Sequence, residues 1–487
     1  MNRGERWAAA GAGSAVLVAG GAAAFGLRAA RDRARRRAVP DGAASRAAAE
    51  ARHRDKVERI AAQLAAHQGP EPLSFRKRAV SHEVPKGGDL RHRDRKIDLS
   101  DLDEILHVDP LRRICVAEPG VAFVDLVEAT MRHSLVPVVV PEMKTITLGG
   151  AVSGCSLEST SFRHGGFHDS CLEYEAITAR GEVLTCSADN DHRLLFEMLH
   201  GAFGTLGVLS KLTFRLMPAA PYVKVEYEKH ATVGSYLESI RRHAEAQDAD
   251  FMDGIIHSPR ELVLSMGRFV DEVPYAHRYD WMRIYPDSTR TRAEDYLATA
   301  DYFYRYDRGV TNVHPRSFLG RLLFGKWLGS SQVLRLADRF HWLLRRFPPP
   351  VTVDVFVPIS RAEEFLAWHQ EVLGHFPLWC VPYRIARPYA WLSDRFVSEI
   401  RDTLFLDLAI YGMRPRAGQN PYRLLEEKLM EVGGVKTLIS TNLYSEEEFW
   451  STWNRRNYEA AKARVDPDNR LRGLYEKMCR AAQGVGA

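Results

Sequence analysis

The sequence is poor in cysteine, with six in 487 residues, and no two form a C-x-x-C pair. Cys115, Cys155, Cys171, Cys186, Cys380 and Cys479 fall at no metal-ligand spacing, so a zinc scaffold and a disulfide framework are both excluded. Several lie in apolar, strand-like runs where cysteine acts as a small hydrophobe, as in a reducing compartment. No G-x-G-x-x-G follows a strand and opens a helix, which excludes a Rossmann dinucleotide site. A phosphate-binding Walker lysine loop is absent too, and no repeat recurs at a fixed period. The formal charge of +5 carries little information about the body. Before residue 40 there are eight arginines against Glu5 and Asp32, a net of +6, so the rest is near neutral. A nucleic-acid surface on the body is therefore not expected.

What is present begins with Trp7 to Leu27, 21 residues without a charge, followed at once by Arg28, Arg31, Arg33, Arg35, Arg36 and Arg37. As a helix this run spans ~30 Å, one hydrocarbon core. The basic block sets the orientation: N-terminus outside, body in the cytoplasm. A single-pass transmembrane anchor is the expectation, and a cleaved signal peptide is its competitor. The organisation expected is residues 1–40 as anchor and basic juxtamembrane segment, 41–72 as a helical stem, 73–220 as a cofactor domain and 221–487 as a cap. Short strands at 95–99, 104–108, 112–118, 136–140, 173–180, 182–186 and 206–216 surround helical spacing at 123–133 and 194–202. From Tyr222, strands at 222–228, 251–257, 261–269, 351–358, 378–385 and 404–411 alternate with helices at 232–247, 362–373 and 420–432. This is an α+β pattern, with an antiparallel sheet covered by helices as the cap. Arg316 to Phe347 interleaves Leu, Phe and Trp with six arginines and Lys326, which suits a packed helix pair or a helix lying in a lipid interface.

The stretch that organises the chain is Pro141 to Asp169, with Gly149, Gly150, Gly154, Gly165 and Gly166 among seven hydroxyl side chains. Glycine lets backbone approach a ligand, and the hydroxyls and free N–H groups suit a phosphate ester. The run from Thr147 to Ser159, together with Gly165, Phe167, Tyr174-Glu175 and Gly204-Thr205-Leu206-Gly207, resembles the vanillyl-alcohol-oxidase-type (PCMH-type) FAD enzymes. Trp379 with Pro382, Ile410-Tyr411-Gly412 and Glu447-Glu448-Phe449-Trp450 extend the likeness, which is greatest to the delta-24 sterol reductases. The chain departs from that pattern in Gly154-Cys-Ser-Leu-Glu158, where those enzymes carry Gly-x-Gly-Ile-Glu. It departs again in Thr160-Ser-Phe162, where they carry Ser-Ser-His.

The resemblance implies a two-part FAD-binding domain followed by a cap, and NADPH as the reductant. It places FAD against Thr147, Leu148, Gly149, Gly150, Ala151, Val152, Ser153, Gly154, Cys155, Ser156, Leu157, Glu158, Ser159, Gly165, Gly204 and Gly207. The first flavin loop has only Arg78 to Val84, with His82, in place of a histidine motif, so FAD is expected to be non-covalent. Cys155 is the one conceivable thiol attachment point. Reduction of an unactivated C=C also needs an acid near the second carbon. Glu158 and Tyr411 are the candidates preferred, with Tyr383, Arg384 and Tyr444 behind them; His164 and His168 read as loop histidines, and no metal is expected. The function these observations point to is reduction of a double bond in an apolar lipid, with a sterol, isoprenoid or acyl chain as substrate. The alternatives are an FAD oxidase or dehydrogenase of a sugar, lactone or alcohol, and a non-catalytic scaffold.

Overall fold

A computed structural model of the chain describes residues 39–79, 83, 86, 88–280, 283–307 and 350–485. Trp7–Leu27, His82 and the basic–aromatic run 316–347 lie outside the described residues. Among the described residues no helix is long and apolar enough to cross a membrane.

Two antiparallel sheets stand face to face. The first is built from β3 (Ile105–Asp109), β4 (Ile114–Ala117), β6 (Cys171–Ile177), β7 (Val183–Ser187) and β8 (Val208–Pro218), in the order β3-β4-β8-β6-β7. The short β5 (Leu135–Pro137) pairs with the far end of β8. The β3–β4 turn at Asp109-Pro110 and the β6–β7 turn at Gly181 (φ +88°) are the hairpins that the turn residues imply. Beside this sheet, β1 (Leu73–Arg76) and β2 (Arg95–Asp98) form a parallel pair, which no local pattern predicts.

The second sheet has eight strands, all antiparallel, in the order β12-β9-β11-β10-β14-β15-β13-β16. They are β9 (Tyr222–His230), β10 (Phe251–Ser258), β11 (Glu261–Val270), β12 (Glu294–Ala298), β13 (Val351–Pro358), β14 (Leu378–Arg384), β15 (Leu404–Met413) and β16 (Val435–Lys436). Strand alternation gives this sheet two different faces. Met252, Leu264, Cys380, Leu406, Leu408 and Val355 point outward into a core closed by helices Val233–Ala246, Ala362–Val372 and Pro421–Val432. Phe251, Ile255, Trp379, Val381, Tyr383 and Phe405 point the other way, into the core shared with the first sheet. The covering helices start on caps legible in the sequence: Thr232 accepts from the Ser235 N–H, and Asn420 from that of Arg423 ahead of Pro421. Periodicity misses β12, because its buried Asp295 breaks the apolar alternation while accepting from His277 and Tyr279, and it misses the two-residue β16, which is too short to show a period.

Of residues 41–72, expected as a helical stem, Gly42–Ala65 is helical, and that helix lies against the first sheet. Ala49, His53, Val57, Ile60 and Leu64 form its buried stripe. His53 is the pin. It is buried between two carboxylates, Nδ1 2.9 Å from Glu118 and Nε2 2.8 Å from Glu175. Lys56 and Arg52 add pairs to Glu104 and Glu118. The C-terminal residues also return to the first sheet: Ala179 N–H donates to Val465, and Leu471 bridges Leu73.

Two ring nitrogens facing two carboxylates are best served by the imidazolium. Burial alone lowers the His53 pKa, but the bonds to Glu118 and Glu175 outweigh it and the net shift is upward. A raised basic pKa contributes stability in full below about 6.5, and the contribution is lost as pH rises through the higher folded value. Glu175 has the opposite sign: burial opposes ionisation, yet His53, Ser210 and Lys211 hold its pKa near 2. Its contribution is present above about 4.5 and lost as pH falls toward 2. The melting temperature should therefore peak between these limits and fall above pH 6.5. His53→Leu should cost about 3 kcal/mol at pH 6 by stranding buried carboxylates, and should flatten the alkaline fall in a pH series of thermal melts.

Candidate functional site

Thr147 caps a short helix, Leu148–Ser153, accepting from the Gly150 N–H at 3.4 Å. The strip expected as an extended loop therefore starts as helix, because Leu148, Ala151 and Val152 bury on the core and the cap fixes the first turn. Gly149 is pressed on Pro119: a Cβ there would sit 2.7 Å from the proline ring. Gly150 is different, since its added Cβ would meet only Thr147 Oγ1 at 3.2 Å and Lys77 Nζ at 3.9 Å. Past Gly154 and Cys155 the strip crosses to the second sheet, where Met252 N–H donates to Ser159 at 2.7 Å. Gly207, at φ +121°, has its Cβ position 2.6 Å from the Ile177 carbonyl. The Gly165-Gly166 pair has a role that sequence reading did not supply. It leaves space for two side chains, because Cβ atoms there would meet the Asp169 carboxylate and the His168 ring, both at 2.4 Å.

Gly154, Cys155, Leu157 and His168 form one wall of a cleft with about 740 Å³ of empty space. Gly201 and Phe203 extend it; Phe356, Tyr383 and Phe405 of the second sheet face it; Tyr389, Trp391, Phe396 and Trp453 close it. Apart from Tyr383, Tyr389, His168 and Lys436, the lining is almost wholly apolar. Lys436 is already committed, to Glu426 and the Thr441 carbonyl.

Neither of the two preferred acid candidates lines this cleft. Glu158 is buried, bonded to the Ser159 N–H and hydroxyl, and 3.6 Å from Arg305. Arg305 in turn donates to Asp253 at 2.7 Å and lies 3.9 Å over the Tyr302 ring. Burial, with Asp253 adding to it against Arg305, pushes the Glu158 carboxyl up to about 7. Tyr411 donates to Asp354, whose own carboxyl burial pushes up to about 6. Of the secondary candidates, Tyr383 lines the cleft; Arg384 donates to the Phe162 and Ala244 carbonyls, and Tyr444 packs under Lys436. His164 is half-buried outside the lining. Among the described residues no cluster of His, Cys, Asp or Glu could hold a metal ion.

Behind Phe203 lies a group of charges that the sequence did not reveal. Lys77 stands beside Gly150, and Lys477 beside Gly204 (φ +70°), donating to the Phe203 carbonyl at 2.5 Å. Lys86 and Arg91 join them around Glu83, with Arg91 paired to Glu83 at 2.6 Å and Asp89 at 2.7 Å. Four cations gather around two carboxylates, with Lys86 buried, Arg91 and Lys477 partly buried and Lys77 at the exposed edge. Burial is the leading cause that pushes Lys86 and Lys477 each down to about 8. Glu83 is held near 2: burial opposes its ionisation, and Arg91, Lys86 and Lys477 win. Lys86 Nζ has no hydrogen-bond partner. A buried unpartnered ammonium is costly, and a ligand with two negative charges offsets that cost. Lys77 and Lys477 sit 400 residues apart, so only folding brings them together.

Comparison with known proteins agrees with this chemistry. Residues 45–187 match the model of the FAD binding domain family. The chain is an FAD-dependent oxidoreductase. It is similar to the delta(24)-sterol reductase of Macaca fascicularis, 25% identical over 414 residues, 80% of this chain and 78% of the relative. The Caenorhabditis elegans delta(24)-sterol reductase homolog is 23% identical over 430 residues, 80% and 79% of the two chains. Cytokinin dehydrogenase 7 of Oryza sativa is 32% identical over 142 residues, 28% of this oxidoreductase and 27% of the relative.

The two neighbouring glycines separate a packing role from a ligand role. Gly149→Ala should lower the melting temperature by several degrees, because Pro119 is backbone-fixed and cannot yield. Gly150→Ala should fold normally and instead weaken FAD retention, measured by flavin absorbance after gel filtration.

Proposed function

We propose that FAD lies non-covalently along the strip from Thr147 to Ser159, with its diphosphate among Lys77, Lys86, Arg91 and Lys477. The observation that carries this is the gathering of four cations around Glu83 and Asp89, with the buried Lys86 unpartnered and Lys477 bonded to the carbonyl of Phe203, a residue that also lines the aromatic cleft. Gly150 and Gly204 flank the cationic cluster, each with a lysine Nζ 3.9 Å from its Cβ position. Cys155 lines the cleft, but burial pushes its thiol up, away from the nucleophilic thiolate, which supports non-covalent binding. Bound there, FAD supplies a two-electron carrier able to accept a hydride and to pass one on.

The substrate we propose is an apolar lipid whose carbon–carbon double bond is reduced, with NADPH as the electron source. The cleft supports this: its walls are aromatic and aliphatic, and they offer few polar anchors to a sugar or a nucleobase. The names of the sterol reductases favour a sterol or isoprenoid side chain among such lipids, with an unsaturated acyl chain as the neighbouring choice. Reversed electron flow, with a sugar, lactone or alcohol oxidised, is the competing reading, and the dehydrogenase relative favours that direction of flow over a shorter stretch. A lipid substrate also fits the proposed tether, in which Trp7–Leu27 spans the bilayer once, the catalytic body is cytoplasmic and 316–347 rests on the membrane surface.

Purified protein should be yellow, bleach anaerobically with NADPH and recolour on adding an unsaturated isoprenoid lipid. Bleaching by a sugar, lactone or alcohol with recolouring by oxygen alone would overturn the direction of flow. Lys86→Met gives an independent check on the cofactor bed. Removing an unpaired buried cation should raise the melting temperature of the apoprotein while weakening FAD binding at least tenfold by fluorescence titration.

A further inference from the structure

Three polar side chains form a continuous chain from the cleft toward the solvent. Tyr383, on β14, lines the cleft with its hydroxyl 2.6 Å from that of Tyr389. Tyr389 donates to Asp169 Oδ2 at 2.7 Å. A carboxylate can only accept, so the Tyr389 proton is committed to Asp169 and the Tyr383 proton points at Tyr389. The other Asp169 oxygen, Oδ1, has no hydrogen-bond partner and lies 4.0 Å from Arg387, which is partly exposed. Neutral His168 stands beside the chain with Nε2 3.4 Å from Asp169, and neither ring nitrogen has a hydrogen-bond partner. The Gly165-Gly166 pair exists in this geometry to admit Asp169 and His168, so part of the glycine motif serves this chain. Buried chains of this kind are costly unless used, and in an apolar cleft this is where a proton can be handled.

We propose that Tyr383 is the catalytic proton donor, supplied through Tyr389 and Asp169, in a reaction that rests on the C=C reduction proposed above. One carbon of the double bond gains a hydride from the reduced cofactor, whose electrons come from a dihydronicotinamide. The other carbon takes the Tyr383 proton, the π bond is consumed and the Tyr383 O–H bond breaks. The phenolate is then refilled by Tyr389, and the Tyr389 oxygen by a solvent proton that the Asp169 carboxylate takes up on the Arg387 side and hands on, so that Asp169 ends as the carboxylate it began as. One hydride and one proton are consumed per turnover. Burial keeps Tyr383 protonated at neutral pH, so the donor is loaded when substrate arrives. Tyr389 and Asp169 act through Tyr383 and are positioning residues.

The test separates the two half-reactions in full-length protein loaded with FAD. In Tyr383→Phe, bleaching by NADPH should keep the wild-type rate, while recolouring by an unsaturated isoprenoid lipid should slow at least 100-fold. Tyr389→Phe and Asp169→Asn should show the same split, more weakly. A second readout needs no turnover: a strongly hydrogen-bonded hydroxyl proton should appear downfield in the proton spectrum. It should vanish in both tyrosine variants and persist in Tyr411→Phe. Wild-type recolouring in Tyr383→Phe, or an unchanged downfield spectrum, overturns the relay. A protein that never bleaches overturns the reductase reading instead, so the two failures are distinguishable.

Discussion

The rest of the structure depends on an uncompensated charge. Lys77, Lys86, Arg91 and Lys477 are gathered around Glu83 and Asp89, which balance only half of their charge, and Lys86 is buried without a hydrogen-bond partner. In a low-dielectric setting such an excess is tolerated when a ligand of opposite charge shares the site. The elements that supply these residues are drawn from both ends of the chain: the loop after β1, the turn before β2 and the last helical turns near Met478. Folding of the two ends onto one another and the making of an anion site are thus one event. The helix pinned by His53 and the C-terminal return through Leu471 belong to the same closure.

The second sheet divides its labour by face. Its outward residues are aliphatic and close a core under three helices, an ordinary solution for a half-covered antiparallel sheet. Its inward residues mix aromatics with Asp253, Asp354 and Asp407, all buried. Burial raises Asp354 and Asp407, and across from them Glu142 is pushed up to about 8. This face therefore sets carboxyls whose pKa burial raises beside neutral phenols, while the anion site behind Phe203 is rich in ammonium groups. The cleft lies between an electropositive bed and a proton-bearing roof. That polarity suits a cofactor with a charged tail and a neutral ring, and it suits a substrate with no charge at all.

Much of the fold was legible because its strands alternate strictly and its helices carry caps. Six of the eight strands of the second sheet and its three covering helices stand within a few residues of where periodicity puts them; β12 and β16 do not. Legibility ended where a decision was non-local. The parallel β1–β2 pair, the docking of Gly42–Ala65 and the edge strand β12 depend on partners far away in sequence. The site divided the same way. Thr147 to Gly154 is recognisable as backbone made for close approach, yet Glu158 and Tyr411 are already engaged by Arg305 and Asp354 rather than facing the cleft. Tyr383 was one name among several until its neighbours were in place.

Composition and spacing by themselves determined the class: an α+β chain with a glycine-rich strip between strands and no Rossmann turn. Such features are local, written in the backbone freedom of glycine and the period of apolar residues. Tertiary structure decided which charges and hydroxyls share a space, because Lys77 meets Lys477 and Asp169 meets Tyr389 only when distant segments close. Electrostatic energy depends on distance in space, and the sequence fixes only distance along the chain.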